Sequence, residues 1–481
     1  MAFQSFRDFL DVLENKGQLV HIKEQVKPEP EIRKYLRAVS NMEEKAGPAL
    51  MFDDILGYSG MRLAAGVCAS WANHAILLDM DKDATITEQF KNVTDRWKKK
   101  DTTSELKWVD NAPCQEVVIE DNINLYELLP LFRVNPNDGG FYLGKASVVT
   151  QDWKDPENLD LENVGLYRVQ IHGKDTIGMQ VAPKSQGNIP IRAADAEGKP
   201  CPIAILLGPP PFVTSMSCAG IPYRQSEYKI ASALMGEPLE LTKCIGSNLN
   251  IPAWTEIVLE GETVPKERFL EGPFGEYPGS YSGVMKKVRV KINRVTTRRN
   301  PIMENLYIGR TWTEHDTICG LFTSAPVYME LIENFPEVKA VNANFNHGIT
   351  CVVATDQRMN GISKSVALAT AVTTHGIEYA KNIIMVDGDV DPFNMNQVMW
   401  ALSFRLEHAS DVIVIPKMRG SMLDVSTNPR GVGSKLILDA TTPVAPEPLG
   451  FLTGLPTMTE PVPDVPEYEK KVLALQAEQA K

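Results

Sequence analysis

Between residues 115 and about 310 the chain keeps a single rhythm of short apolar runs, each closed by turn residues. The runs are GLYRVQI, TIGMQVAP, CPIAILLG, EIVLEGE and KVRVKINRV. Runs this short and this often interrupted read as strands, because a strand needs only a few residues while a helix needs three turns. One helical segment interrupts them, SEYKIASALMGEP, with Ser226 as N-cap, Glu227 in the first turn and Gly236 as the stop. The pattern predicts a β-barrel with one inserted helix. On either side the rhythm changes. Residues 1–112 mix helical patterns at Phe6–Asn15 and Glu31–Asn41 with the strand-like AGPALMFDDI. From about 320 helices and strands alternate (APVYMELIENF, AVNANF, GITCVVAT, KSVALATAVTT, NIIMVDGD, NMNQVMWALSFRL, DVIVIP), which predicts an α/β layer. Beyond 445 a Pro-rich stretch ends in a short polar helix, and an arm with no core of its own is expected to lie on another subunit. The expected class is α+β: an N-terminal region (1–112), a barrel (113–315), a C-terminal α/β domain (316–445) and an arm (446–481).

With 481 residues, 43% of them hydrophobic, the chain has material for two or three cores. A net charge of −12 leaves no basic footprint for nucleic acid; the basic run RWKKK is expected to be a solvated helix end. No apolar run approaches a membrane span, and the opening MAFQSFRDFLDVLENKGQL is an acidic amphipathic helix rather than a targeting segment. We expect a cytoplasmic protein. Seven scattered cysteines without a CxxC pair predict free thiols.

Several familiar chemistries are absent by spacing. The acidic MVDGDVDPF (Asp387, Asp389, Asp391) lacks the Gly and Glu of a calcium loop, carrying Pro392 and Val398 there instead. A strand end, a turn and a helix cap explain it. The seven histidines form no HxxxH or HExxH pair, and neither GxSxG nor a strand-borne GxGxxG occurs. GVGSK (Gly431–Lys435) lacks Walker spacing, yet a flexible backbone followed by one Lys suits a single phosphate. The stretch EGPFGEYPGSY stands out. Its five Gly and Pro residues hold Glu271 and Glu276 on one tight loop, where like charges, if close, raise one carboxyl's pKa. A raised carboxyl suits a general acid near neutral pH. Arg168, a charge inside the otherwise apolar NVGLYRVQ, needs a buried partner and could keep the other carboxylate ionised or hold an anionic substrate. A surface turn and a salt-bridged structural Arg would look the same from spacing alone.

Taken together and in order, NVGLYRVQIHGKDTIGMQ, QSEYKIASALMGEPLEL, EIVLEGE, EGPFGEYPGSYSG and GVGSKLILDATTPVAPE resemble the UbiD-type aromatic acid (de)carboxylase family over essentially the whole chain. The likeness is strongest to the branch of 4-hydroxybenzoate, vanillate and gallate decarboxylase large subunits. The resemblance implies a split β-barrel binding prenylated FMN, and a C-terminal domain used to form dimers or hexamers. It implies a catalytic set of Arg168, Glu271 and Glu276; Asn163 and Glu227 as ligands of a divalent metal (Mn2+, or Fe2+ or Mg2+); and Lys435 on the flavin phosphate. It implies a K+ site at Val164, Met216, Ser217, Ala219 and Glu227, with Ser217 also near the cofactor, and a substrate contact at His315. One departure stands out. The family's Pro-x-His, which supplies a further metal ligand, is replaced by APKSQGN, so Lys184 and Ser185 stand there and Lys184 is the candidate counter-charge to the phosphate.

The implied reaction is reversible, non-oxidative loss of CO2 from an aromatic acid through a covalent adduct with prenylated FMN, the cofactor being made by a separate flavin prenyltransferase. Arg168 would orient the carboxylate and Glu276 transfer the proton. Two alternatives are an aromatic acyl-CoA thioester or heteroaromatic acid as substrate, and a non-catalytic flavin-binding assembly protein.

Overall fold

The computed structural model describes residues 3–40, 47–152, 154–183, 185–310, 312–345, 347–357, 359–442 and 465–479. The first helix spans Phe6–Asn15. A Ser5–Asp8 capping box starts it, and its apolar stripe buries Phe6, Phe9, Leu10 and Leu13. It packs by a four-stranded sheet of Leu19–Ile22, Ala49–Phe52, Arg62–Ala65 and Ile302–Glu304. The last strand arrives from beyond the barrel, so the chain returns to its N-terminal sheet before entering the C-terminal domain.

The barrel consists of β1 (Tyr142–Gln151), β2 (Glu162–Ile171), β3 (Thr176–Met179), β4 (Pro202–Leu207), β5 (Ile257–Glu271) and β6 (Met285–Thr297). Their order is β5-β4-β1-β2-β3-β6, and β6 pairs back onto β5, so six antiparallel strands close with no free edge. Tyr142, Val169, Ile177, Ile205, Leu259 and Val290 share one buried core. Among the described residues three α-helices, not one, interrupt the strands: α1 (Asn188–Ala196), α2 (Pro211–Ser217) and α3 (Glu227–Met235). The first two were hidden by Pro190 and the PPP run. Proline reads as a breaker, but the first turn of a helix has no intrahelical partner for its N–H groups.

The C-terminal domain is a five-stranded sheet in the order Val338–Phe345, Thr350–Thr355, Asn382–Asp387, Val432–Ala440, Val412–Arg419. Helix α4 (Glu314–Ile332) leads into it and carries Pro326 inside. The sequence predicted only its second half. The helix is buried nearly all round, and that burial offsets the hydrogen bond Pro326 removes. The acidic MVDGDVDPF behaves as a strand end and cap: Asp387 and Asp389 both pair with Arg405, and Asp391 accepts the Phe393 N–H. The Pro-rich arm falls outside the described residues up to Val465, where a helix runs to Gln479. Among the described residues no helix is long and apolar enough to cross a membrane, and all seven thiols are free.

Candidate active site

Arg168 sits in the middle of β2, and its guanidinium is met by both carboxylates of the Gly- and Pro-rich loop. Its Nε and Nη2 donate to the two oxygens of Glu271 at 2.9 and 2.8 Å, and Nη1 donates to Glu276 Oε1. Tyr142 on β1 donates its hydroxyl to Glu271 Oε1 at 3.1 Å, and Arg168 Nη2 also reaches Ser282 Oγ at 3.3 Å. Glu271 is fully buried and Glu276 nearly so. Burial opposes the charge on Arg168, but the Glu271 hydrogen bond and both carboxylates outweigh it and raise its pKa. At Glu276 burial raises the pKa, Arg168 pulls it back, and the charge on Glu271 raises it further. Two carboxylates share one cation unequally: Glu271 takes the bidentate fork and Glu276 a single nitrogen. The pairing is therefore unequal in geometry, and Glu276, held by the single nitrogen, is the carboxyl whose pKa burial raises.

The loop is held by groups remote in sequence. Gly275 N donates to Asp138 Oδ1 at 2.8 Å, and Phe274 N donates to Ser282 Oγ at 3.1 Å. Gly272 adopts φ +102°, where an L side chain is strained, and a Cβ there would sit 2.6 Å from the Gly283 carbonyl. A Cβ on Gly275 would meet the Asn135 amide at 2.4 Å. These glycines fix the loop against residues 135–139, so its rigidity is tertiary as much as local.

The second cluster lies where β2 meets α3. Asn163 Nδ2 donates to Glu227 Oε1 at 2.8 Å, and Tyr167 donates its hydroxyl to Asn163 Oδ1 at 3.2 Å. Glu227 is the first residue of α3, as expected, but the cap differs: the Ser226 hydroxyl makes no capping bond. Burial pushes Glu227 up to about 8, against bonds from backbone N–H groups and Asn163. Its Oε2 is buried without a hydrogen-bond partner. A buried carboxylate with one unused oxygen, beside an amide oxygen, is a hard donor set of the kind Mn2+ or Mg2+ takes. The residues present therefore fit such a metal. Val164 lies on β2, paired with Val149 of β1. Met216 O accepts the Ala219 N–H at 3.0 Å, while the Ser217 hydroxyl donates to Thr214 O and accepts from Ser147.

Lys435 departs from expectation. GVGSK is no flexible loop; it opens the strand Val432–Ala440. The Lys435 ammonium is buried and donates to the Gly376 and Ala380 carbonyls at 2.6 and 2.7 Å. Burial lowers its pKa to about 8. It closes a turn of the C-terminal domain. Lys184 lies outside the described residues, and Ser185 forms a turn onto Ala182.

His315, on the first turn of α4, stacks on Tyr277 at 5.0 Å, one residue from Glu276. Burial lowers its pKa to about 4, so it stands neutral. His347, His375 and Tyr379 extend this aromatic group. Sequence reasoning missed these three, along with Tyr142, Asn135, Asp138 and Ser282. They come from five separate segments, and no spacing in the chain joins them.

A closed six-stranded barrel bearing a buried arginine between two glutamates, with an α/β domain joined to it, defines a class. Family models named for the N-terminal, Rift-related and C-terminal domains of 3-octaprenyl-4-hydroxybenzoate carboxy-lyase match residues 10–93, 107–311 and 316–440. The chain belongs to the UbiD family of carboxy-lyases. It is 44% identical to the phenolic acid decarboxylase of Bacillus subtilis (strain 168), over 99% of each chain. Among solved structures it resembles the vanillic acid decarboxylase of Sedimentibacter hydroxybenzoicus in closed form, with a TM-score of 0.91, 44% identity and 99% of each chain covered. The open form of that enzyme gives 0.88. An evolved dimeric form of the UbiD-class enzyme HmfF from Pelotomaculum thermopropionicum, in complex with prenylated FMN, gives 0.80 at 25% identity, covering 96% of this chain and 98% of that one.

Proposed function

We propose that the protein removes CO2, without oxidation, from a phenolic carboxylic acid, using prenylated FMN. The observation that carries this reading is the unequal pairing of Arg168 with Glu271 and Glu276 in a buried site. An aromatic ring gives up CO2 reluctantly because its electrons have nowhere to go, and bound prenylated FMN supplies that electron sink. The chain's own residues do the rest. Arg168 is held by the Glu271 fork and turns its remaining face to the substrate carboxylate. Glu276, with its raised pKa, delivers a proton to the ring carbon that CO2 leaves, and accepts one in the reverse direction. His315, neutral and stacked on Tyr277, meets the phenolic end of the substrate. Asn163 and Glu227 would hold a divalent cation, Mn2+ in type, that would offset the charge of the cofactor phosphate, with Lys184 a second candidate counter-charge. Main-chain oxygens around Val164, Met216, Ser217 and Ala219 would hold K+ beside Glu227. Lys435 supports the turn at 376–380 instead of reaching the phosphate. A homo-oligomer built through the C-terminal domain, the four-part division of the chain, a cytoplasmic setting and a separate prenyltransferase belong to the same proposal.

The test is Glu276→Gln loaded with prenylated FMN and assayed anaerobically for CO2 release from a panel of phenolic acids. We expect activity to fall by about 10²–10⁴, the usual size of a general-acid contribution, with flavin still bound. Undiminished turnover would sink the assignment.

A further inference from the structure

The histidine group next to the site includes a donor set of which two members, Cys319 and His347, have no part in the proposed decarboxylation. His315 and Cys319 lie one turn apart on the same face of α4. A capping box fixes the phase of that helix: Thr313 N donates to Asp316 Oδ2 at 2.8 Å, and the Thr313 hydroxyl bonds the same oxygen. Both side chains are buried, and His347 reaches them from the loop between strands Val338–Phe345 and Thr350–Thr355. Donor atoms of the three lie within 4.8 Å of one another. His347 holds a left-handed backbone, φ +58°, which is unusual outside glycine. Its carbonyl bonds the His375 ring nitrogen at 2.9 Å, so the loop is pinned at that conformation. His315 Nδ1 is buried with no hydrogen-bond partner.

We propose that His315, Cys319 and His347 form a site for one thiophilic divalent ion, Zn2+ in type, distinct from the oxygen-donor cluster at Asn163 and Glu227. Two imidazoles and a thiolate with no carboxylate select zinc over Mg2+, Mn2+ or Ca2+, which want oxygen. Tetrahedral zinc sets neighbouring donors about 3.3–3.7 Å apart, so the three must close by about 1 Å, within reach of side-chain rotation. The Zn–S bond forms as Cys319 Sγ–H gives its proton to solvent, so one proton leaves per ion bound. Three protein ligands leave a fourth position open, as at zinc sites that bind small molecules.

The test is Co2+ titration of the flavin-free protein, because cobalt bound to a thiolate absorbs by charge transfer in the near ultraviolet. We expect one such Co2+ per chain, displaced by Zn2+. Cys319→Ser should abolish the absorption, and His347→Ala should weaken binding tenfold or more. Cys218→Ser should leave the absorption in place; Cys218 is the thiol that faces Cys319. The proposal is overturned if the absorption never appears, survives Cys319→Ser, is lost in Cys218→Ser, or is indifferent to His347→Ala and to Zn2+. His347→Ala changes a loop and leaves the helix intact, so it tests the site even if the Cys319 variant folds poorly. The Asn163–Glu227 cluster offers no sulfur and gives no such absorption, so the outcome is independent of the flavin reading.

Discussion

Glu227 shows how one residue can report on the site without any turnover. Burial raises its folded-state pKa from 4.5 to about 8, while the unfolded chain titrates near the ordinary value. Between those limits the folded chain holds a proton that the unfolded chain has released. The Glu227 contribution is therefore most favourable below 4.5 and declines as pH climbs to about 8. A divalent cation would replace that proton and cancel the decline. Thermal midpoints of flavin-free protein should show a Mn2+ gain that grows over this window and disappears in Glu227→Gln. A pH-independent gain would mean that the metal binds elsewhere. The sequence marked Glu227 as a helix-start acid and, by resemblance, as a metal ligand; only the fold shows that its second oxygen is left over. Arg168 was the more legible residue, because a charge inside an apolar strand demands a partner.

Among the elements, the loop from Glu271 to Tyr281 does more than its composition announces. Its turns come from local chemistry, but its position is set by Asp138 and Asn135 beneath it. Gly275→Ala would drive a methyl into Asn135, whose Nδ2 is committed to the Ile308 carbonyl at 2.7 Å. We expect about 1–3 kcal/mol of destabilisation in denaturant unfolding, the usual range for overpacking. We also expect kcat to fall about tenfold or more with KM less affected, since Glu276 shifts off Arg168. Unchanged kcat would mean the loop tolerates displacement. The strands of the barrel were readable because each run is short and turn-bounded. Helices α1 and α2 were not, since proline in a first turn looks like a break.

At the scale of the whole molecule, a buried knot ties three regions together where α4 leaves the barrel. Lys145 on β1 pairs with Glu304 at 2.5 Å and Glu314 at 2.7 Å, all three inaccessible to solvent. Glu314 also accepts the backbone N–H groups of Gly66 and Cys68 from the N-terminal region. Lys145→Met would strand two buried carboxylates. We expect a loss of about 3–5 kcal/mol in denaturant unfolding, the range for breaking one side of a buried pair, and a change smaller than 1 kcal/mol would show that the knot relaxes. The same knot anchors the start of α4, and so the place where His315 meets Tyr277. By itself the sequence determined the strand-rich middle of this protein and the helix–strand alternation after it, the loop that carries two carboxylates and the arginine that must answer them. Those follow from periodicity, turn chemistry and the penalty on an unpaired buried charge, which are local rules. Closure of the barrel through β5 and β6, the return of Ile302–Glu304 to the first sheet, the histidine group beside Glu276 and the burial of Lys435 were decided only by the tertiary structure. Each joins segments tens to hundreds of residues apart, and which distant groups share a buried volume is settled by packing, which no short stretch of sequence encodes.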